Sequence, residues 1–178
     1  TKTITVTVKD KGDVTEYQVE LIYDANGGTG TMGPITGDVG SKIVIGQNCF
    51  ARSGYTFTGW NTQADGKGTA YKPGDSFTLT DEDTVLYAQW NKLVTVSFDL
   101  CGHGGANIPS QTFVSGNKAS EPTAPKEDGW VFGGWYTEKG CQYRFSFDSA
   151  VTSDITLYAK WEAAPRYYYN LSLIHISE

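Results

Sequence analysis

The sequence predicts a mainly β fold, built as two tandem small modules with little helix, and three observations carry that expectation. The first is composition. Gly accounts for 21 of 178 residues and Trp plus Tyr for 5 and 11, whereas Met occurs once, at Met32. That mix favours strands joined by glycine turns. The second is periodicity: Tyr17, Val19, Leu21 and Tyr23 fall on one face, the period-two pattern of a half-buried strand. The third is internal duplication. Thr84-Val-Leu-Tyr-Ala-Gln-Trp90 reappears as Ile155-Thr-Leu-Tyr-Ala-Lys-Trp161, and Gly54-Tyr-Thr-Phe-Thr-Gly-Trp60 as Gly129-Trp-Val-Phe-Gly-Gly-Trp135. Leu21-Ile-Tyr-Asp-Ala-Asn-Gly-Gly28 is echoed by Val96-Ser-Phe-Asp-Leu-Cys-Gly-His-Gly-Gly105. Three landmarks in one order, offset by 135 − 60 = 75 and 161 − 90 = 71, define a repeat of about 70 residues.

The elements follow in order. Residues 1–16 read as a strand and turn, either the end of a preceding domain or a partner for the strand at 17–23. Unit 1 spans 17–90 and unit 2 spans 94–161, with Asn91, Lys92 and Leu93 as a short linker. Within unit 1, Asn26, Gly27 and Gly28 supply turn residues that tolerate positive φ. Residues 42–45 form a second short strand, 55–57 alternate again, and 84–90 close the unit. No window of ten residues keeps a 3.6 period free of Gly or Pro, so at most one helical turn per unit is expected, near 76–80 or 147–151.

Charge and hydropathy exclude some function classes. The formal net charge is −6, which argues against a nucleic-acid partner, since phosphate recognition needs a basic patch. No apolar run approaches the ~18 residues of a membrane helix. The chain opens Thr-Lys-Thr without an initiator Met, as a piece excised from something longer would.

In the order Tyr23-Asp-Ala-Asn-Gly-Gly28, Gly54-Tyr-Thr-Phe-Thr-Gly-Trp-Asn-Thr62, Ala64-Asp-Gly-Lys-Gly-Thr69 and Leu86-Tyr-Ala-Gln-Trp90, the sequence resembles the Listeria–Bacteroides repeat family, the internalin B-type B-repeat. Unit 2 matches it through Glu121-Pro-Thr-Ala-Pro125, Gly133-Gly-Trp-Tyr-Thr137 and Asp154-Ile-Thr-Leu-Tyr-Ala-Lys-Trp161. The resemblance covers residues 17–161. It implies a β-grasp-like module on large secreted or surface-anchored bacterial proteins, extracellular or at the cell wall, concerned with spacing, adhesion and contact with a host or bacterial protein or glycan. It implies no catalysis. Cys101-Gly-His103 departs from the pattern, where unit 1 has the plainer Asn26-Gly27.

The repeated aromatics Phe57, Trp60, Tyr87 and Trp90, with Phe132, Trp135, Tyr158 and Trp161, are expected in the core or at its margin. So small a unit buries only ~60% of its unfolded surface, and large aromatics assemble a core economically. Gly59, Gly133 and Gly134 are expected to let backbone approach an indole face. The rival reading is a carbohydrate platform of exposed Trp and Tyr.

No catalytic, cofactor or metal residue is assigned. Gly28-Thr-Gly-Thr-Met-Gly33 has the spacing of a dinucleotide loop, but Pro34 and a strand follow where a helix would have to open. Asn61-Thr-Gln-Ala-Asp65-Gly66 starts like a calcium loop, yet Lys72 stands where a bidentate Glu is required, so a hairpin turn is the better reading. Asp81-Glu-Asp83 reads as a solvated acidic turn. Cys101, His103 and Cys141 fall one short of a structural zinc set. Cys101 and Cys141 form a candidate disulfide, with free thiols as the alternative, and Cys49 is expected to pack. Residues 162–166 read as a linker. The segment to Glu178 abandons the repeat pattern, and Ser172-Leu-Ile-His-Ile-Ser-Glu178 resembles translated adaptor sequence more than protein; a strand opening a next module is the competing reading. The expectation is a non-catalytic repeat region from a protein carrying further repeats.

Overall fold

The computed structural model describes residues 18–165. The strand and turn expected within 1–16, the Tyr17 end of the first alternation and the tail beyond Pro165 lie outside them. The chain divides into two units, Thr1–Lys92 and Leu93–Glu178.

Unit 1 is built on a mixed sheet. β1 (Gln18–Asp24) buries Val19, Leu21 and Tyr23 on one face, because successive side chains of a strand point to opposite sides. β2 (Ile35–Asp38) lies antiparallel to it, with Leu21 opposite Ile35. The other side of β1 pairs in parallel with β7 (Thr84–Asp99), with Leu21 opposite Thr84 and Tyr23 opposite Leu86. Such a pair needs a long crossover, and it is the intervening chain. That crossover supplies β3 (Lys42–Val44), β4 (Tyr55–Asn61), β5 (Ala70–Tyr71) and β6 (Ser76–Thr78). β4 is antiparallel to β7 and to β5, while β3 and β6 form a separate ribbon. The resulting order is β2-β1-β7-β4-β5. Trp60, Leu21, Leu86, Ile45, Phe77 and Leu79 fill the core.

Unit 2 repeats this order with fewer strands. β7 continues through Val94, Val96 and Phe98, so residues 91–93, expected as a linker, are strand. β8 (Gln111–Val114) takes the place of β2, β9 (Trp130–Tyr136) that of β4, and β10 (Ile155–Ala163) that of the first part of β7. Val96 opposite Ile155 and Phe98 opposite Leu157 reproduce the parallel register of Leu21–Thr84 and Tyr23–Leu86. The bulge recurs too: Thr58 is skipped between Phe57 and Gly59, and Gly133 between Phe132 and Gly134. The β3–β6 ribbon shrinks to one bridge, Lys118 with Ala150.

The fold is mainly β as expected, with no helix among the described residues and hence none long and apolar enough to cross a membrane. Two local expectations are corrected. Residues 76–78 are β6, because Phe77 is buried opposite Ile43, while 147–151 is a turn closed by Ser149 N–H donating to Ser146. The glycines beside the tryptophans also have another role. A Cβ on Gly59 would stand 2.9 Å from the Tyr71 carbonyl, and one on Gly134 2.9 Å from the Arg144 side chain. They keep the bulge at φ +148° and +109° clear of its hairpin partner. The glycines that admit an indole are Gly28 and Gly104, whose Cβ would lie 3.0 and 3.1 Å from the Trp90 and Trp161 rings.

Candidate functional site

The signature aromatics form the same nest in each unit. Trp60 and Trp135 are 0% and 1% exposed, while Phe57, Trp90, Phe132 and Trp161 are half-buried against them. Phe57 meets Trp60 and Trp90 edge-on at 5.0 and 5.7 Å; Phe132 meets Trp135 and Trp161 at 5.4 and 5.6 Å. These are the favoured tilted geometries of aromatic pairs. Trp90 Nε1 donates to the Ala25 carbonyl at 2.9 Å and Trp161 Nε1 to Leu100 at 3.0 Å, so each closing tryptophan fastens the turn after the unit's first strand.

The core indoles differ. Trp60 Nε1 donates to the Gly46 carbonyl at 3.2 Å, whereas Trp135 Nε1 is buried with no partner. Unit 2 is open beside it: Glu121, Trp135, Arg144, Phe145, Phe147 and Asp148 line a groove of about 500 Å³.

The residues weighed for chemistry are occupied with turns. Thr29, inside the glycine-rich segment 28–33, bridges Ala51, and β2 follows. Asn61 is turned inward, donating to Gly66 and Gly68 carbonyls and accepting from Gln63 N–H, and Asp65 accepts from Lys67 N–H. Asp83 is more than a solvated acid: it accepts from Glu20 N–H at 3.0 Å, as Asp154 does from Thr95 at 2.8 Å. Among the described residues no group of three His, Cys, Asp or Glu is placed to hold a metal. His103 is drawn to Glu127, 3.1 Å from its Oε2, and meets Trp130 in a tilted ring contact at 4.3 Å. Cys49, expected to pack, is exposed, as is Cys101, and Cys141 is half-buried; all three are thiols. Burial, then the Asp99 charge, then Cys141 push the Cys101 thiol above its ordinary value.

Sequence reasoning put Asn26 and Asn61 in turns but missed what their side chains reach, and it missed the groove. A turn Asn carries no periodic signal of a distant partner. In the groove lining Glu121 stands where unit 1 has the buried Ile45, each three residues past the matched bridge residues Lys118 and Lys42.

Comparison with known proteins agrees with this duplication. The Listeria-Bacteroides repeat domain matches residues 17–89 and again 95–160. The chain is 36% identical over 154 residues to a putative Gly-rich membrane protein of Evansella cellulosilytica, covering 84% of this chain and 17% of that protein. It is 31% identical over 104 residues to internalin H of Listeria monocytogenes, covering 57% of this chain and 19% of the relative. Streptococcal high identity repeats in tandem, domains 3–4 of a cell surface protein, align at 17% identity with a TM-score of 0.23, over 84% of this chain and 99% of that one. The chain thus spans less than a fifth of the length of the first two relatives. With both copies matched over most of its length, the chain belongs to the Listeria-Bacteroides repeat family and carries two tandem domains of it.

Proposed function

We propose that this chain is a non-catalytic stretch of a bacterial cell-surface or secreted protein, serving as spacer or stalk and as a module for adhesion or protein contact at the cell surface or wall. Its partner would be a host or bacterial surface protein or a glycan, and each unit would be the β-grasp-like module that the resemblance implies. One observation carries the reading: what the two copies share is spent on packing and turns. Trp60 and Trp135, Trp90 and Trp161, Gly59 and Gly134, Asp83 and Asp154 hold the same places. A domain duplicated with its core intact and its surface changed supplies length rather than one reaction. The small share of each relative that it covers fits a parent with further repeats.

The test has two arms. Chains of two, four and six units should grow in maximum dimension by a constant increment in small-angle scattering; a dimension that stops growing overturns the spacer role. Antibodies against the chain should label intact source cells, and labelling only after permeabilisation overturns the location.

The carbohydrate reading keeps one specific support, the groove with the buried indole N–H of Trp135 at its wall. Trp60 and Trp135 themselves offer no face to a sugar. A neutral wall polysaccharide bound there would shift tryptophan fluorescence with little salt dependence, because the ligand carries no charge for salt to screen; an unchanged spectrum removes this reading.

A further inference from the structure

The two units solve one local problem with different residues. In unit 1 the first strand ends in a turn with Asn26 at φ 47°, and Asn26 N–H donates to Asp24. The Asn26 side chain then crosses to the hairpin after β4, its Nδ2 donating to Ala64 O at 2.8 Å and Ala88 O at 2.9 Å. That hairpin turns through Gly66, whose N–H donates to Gln63 and whose missing Cβ leaves room for Gln89, 2.9 Å away.

In unit 2 all three positions change together. Cys101 takes the place of Asn26, with φ 56° and its N–H on Asp99. Cys141 takes the place of Gly66, with φ 51° and its N–H on Glu138. Lys160 takes the place of Gln89 and turns away to Glu162 at 2.8 Å. Left-handed backbone is costly for a residue with a Cβ, so Cys at both sites calls for a reason. Matching the hairpins, Lys139 O is the counterpart of Ala64 O, the carbonyl that the Asn26 side chain reaches. Cys141 Sγ lies 3.6 Å from Lys139 O. The second sulfur thus lies beside the counterpart of the carbonyl that the Asn26 side chain reaches, while Cys101 Sγ rests 3.7 Å from Asp99 O in its own turn.

We propose that Cys101 and Cys141 are an oxidative cross-linking site, whose disulfide replaces in unit 2 the Asn26 staple of unit 1. The two thiols are near enough that Cys141, after burial and Asp99, contributes to raising the pKa of Cys101. The oxidant is a small-molecule disulfide such as oxidised glutathione. One cysteine thiolate attacks it and releases one glutathione thiolate; the other cysteine thiolate attacks the mixed disulfide at the protein sulfur and releases the second. Two cysteine thiols are oxidised, two glutathione thiols form, and they take up the two protons. Cys49 belongs to unit 1 and stays a thiol.

The test uses the whole 178-residue chain equilibrated with oxidised glutathione, then alkylated and weighed. The expected product has lost two hydrogens, carries one alkyl group on Cys49, and yields a Cys101–Cys141 linked peptide. Its unit 2 should melt about 10 °C higher than in the reduced chain, as closing a loop of this length restricts the unfolded state. The double variant Cys101→Asn with Cys141→Gly restores the unit 1 arrangement; it should fold with a melting temperature that oxidant does not move. Three alkylated thiols, a bridge to Cys49, or an oxidant response surviving in the double variant overturns the site. A bridge that forms without raising the melting temperature overturns its role as a staple.

Discussion

At the scale of single residues, the two units invite comparison because the same side chain meets different surroundings. Trp60 and Trp135 are both buried, but only Trp60 has its indole N–H satisfied, by Gly46. Truncating either to Ala should cost about 3–5 kcal/mol, the range for a large buried aromatic. Phe separates them. Trp60→Phe leaves Gly46 O without its donor, whereas Trp135→Phe removes a group that has no partner, so urea melts should show Trp60→Phe worse by about 1 kcal/mol. Equal losses would mean that Trp135 finds a partner in solution. Glu138 gives a pH test. Its carboxylate accepts from Gln142 N–H, and also from Tyr143 N–H at 3.1 Å and the Thr137 hydroxyl at 2.8 Å. The Gln142 bond foremost holds its pKa below the ordinary carboxylate value. A lowered folded pKa means that the stabilisation is present above the unfolded value and is lost as pH falls through the folded one. Glu138→Gln should therefore lower unit 2 stability at neutral pH, and the gap from the wild type should close in acid. A gap independent of pH would assign the effect to something other than ionisation.

At the scale of elements, the bulge in β4 and its copy in β9 set how each core tryptophan is presented. The skipped residue reverses which side chain faces inward, so Phe57 and Trp60, three apart, both meet the core. Gly59 carries the strain of this device, with φ +148° and the Tyr71 carbonyl 2.9 Å from where a Cβ would stand. Gly59→Ala should destabilise unit 1 by about 1–3 kcal/mol. Gly133, at the skipped position of unit 2, faces only the flexible Lys160 stem at 3.3 Å and has ordinary φ. Gly133→Ala should change stability by less than ~0.5 kcal/mol, within the usual range for surface substitutions. Thermal melts of the two variants check the contrast, and equal effects would show that the bulge is not what Gly59 serves.

At the scale of the whole molecule, each unit owns a separate core: Trp60 with Leu21, Leu86 and Ile45 in the first, Trp135 with Val94, Val96 and Leu157 in the second. Leu86 and Val96 lie on the same strand, β7, yet belong to different cores. Stability in repeat proteins is a sum of unit terms and neighbour terms. In hydrogen exchange, Trp60→Ala should strip protection from Leu86 and leave Val96 and Leu157 nearly as they were. Equal loss along β7 would show that the two units open as one.

The duplication, the strand character of each landmark and the aromatic nests were legible in the sequence because they repeat. A residue that must pack in both copies appears twice at matched spacing, as Trp90 and Trp161 do, and each donates to the equivalent turn carbonyl of its own unit. The parallel pairing of β1 with β7 was not legible, since partners some 60 residues apart leave no local pattern. Nor was β6, where three residues read as helix or strand until Ile43 is placed opposite Phe77. Asn26 looked like an ordinary turn position, and Cys101 was paired with Cys141 as a candidate disulfide without any sign of the side chain it stands in for. Their meaning depends on a hairpin 38 and 40 residues away in sequence, which only folding brings alongside. Sequence by itself determined what each unit repeats, through local periodicity and matched landmarks; tertiary structure alone decided which distant backbone groups each repeated position must answer to, because hydrogen bonds and close contacts are set by proximity in space.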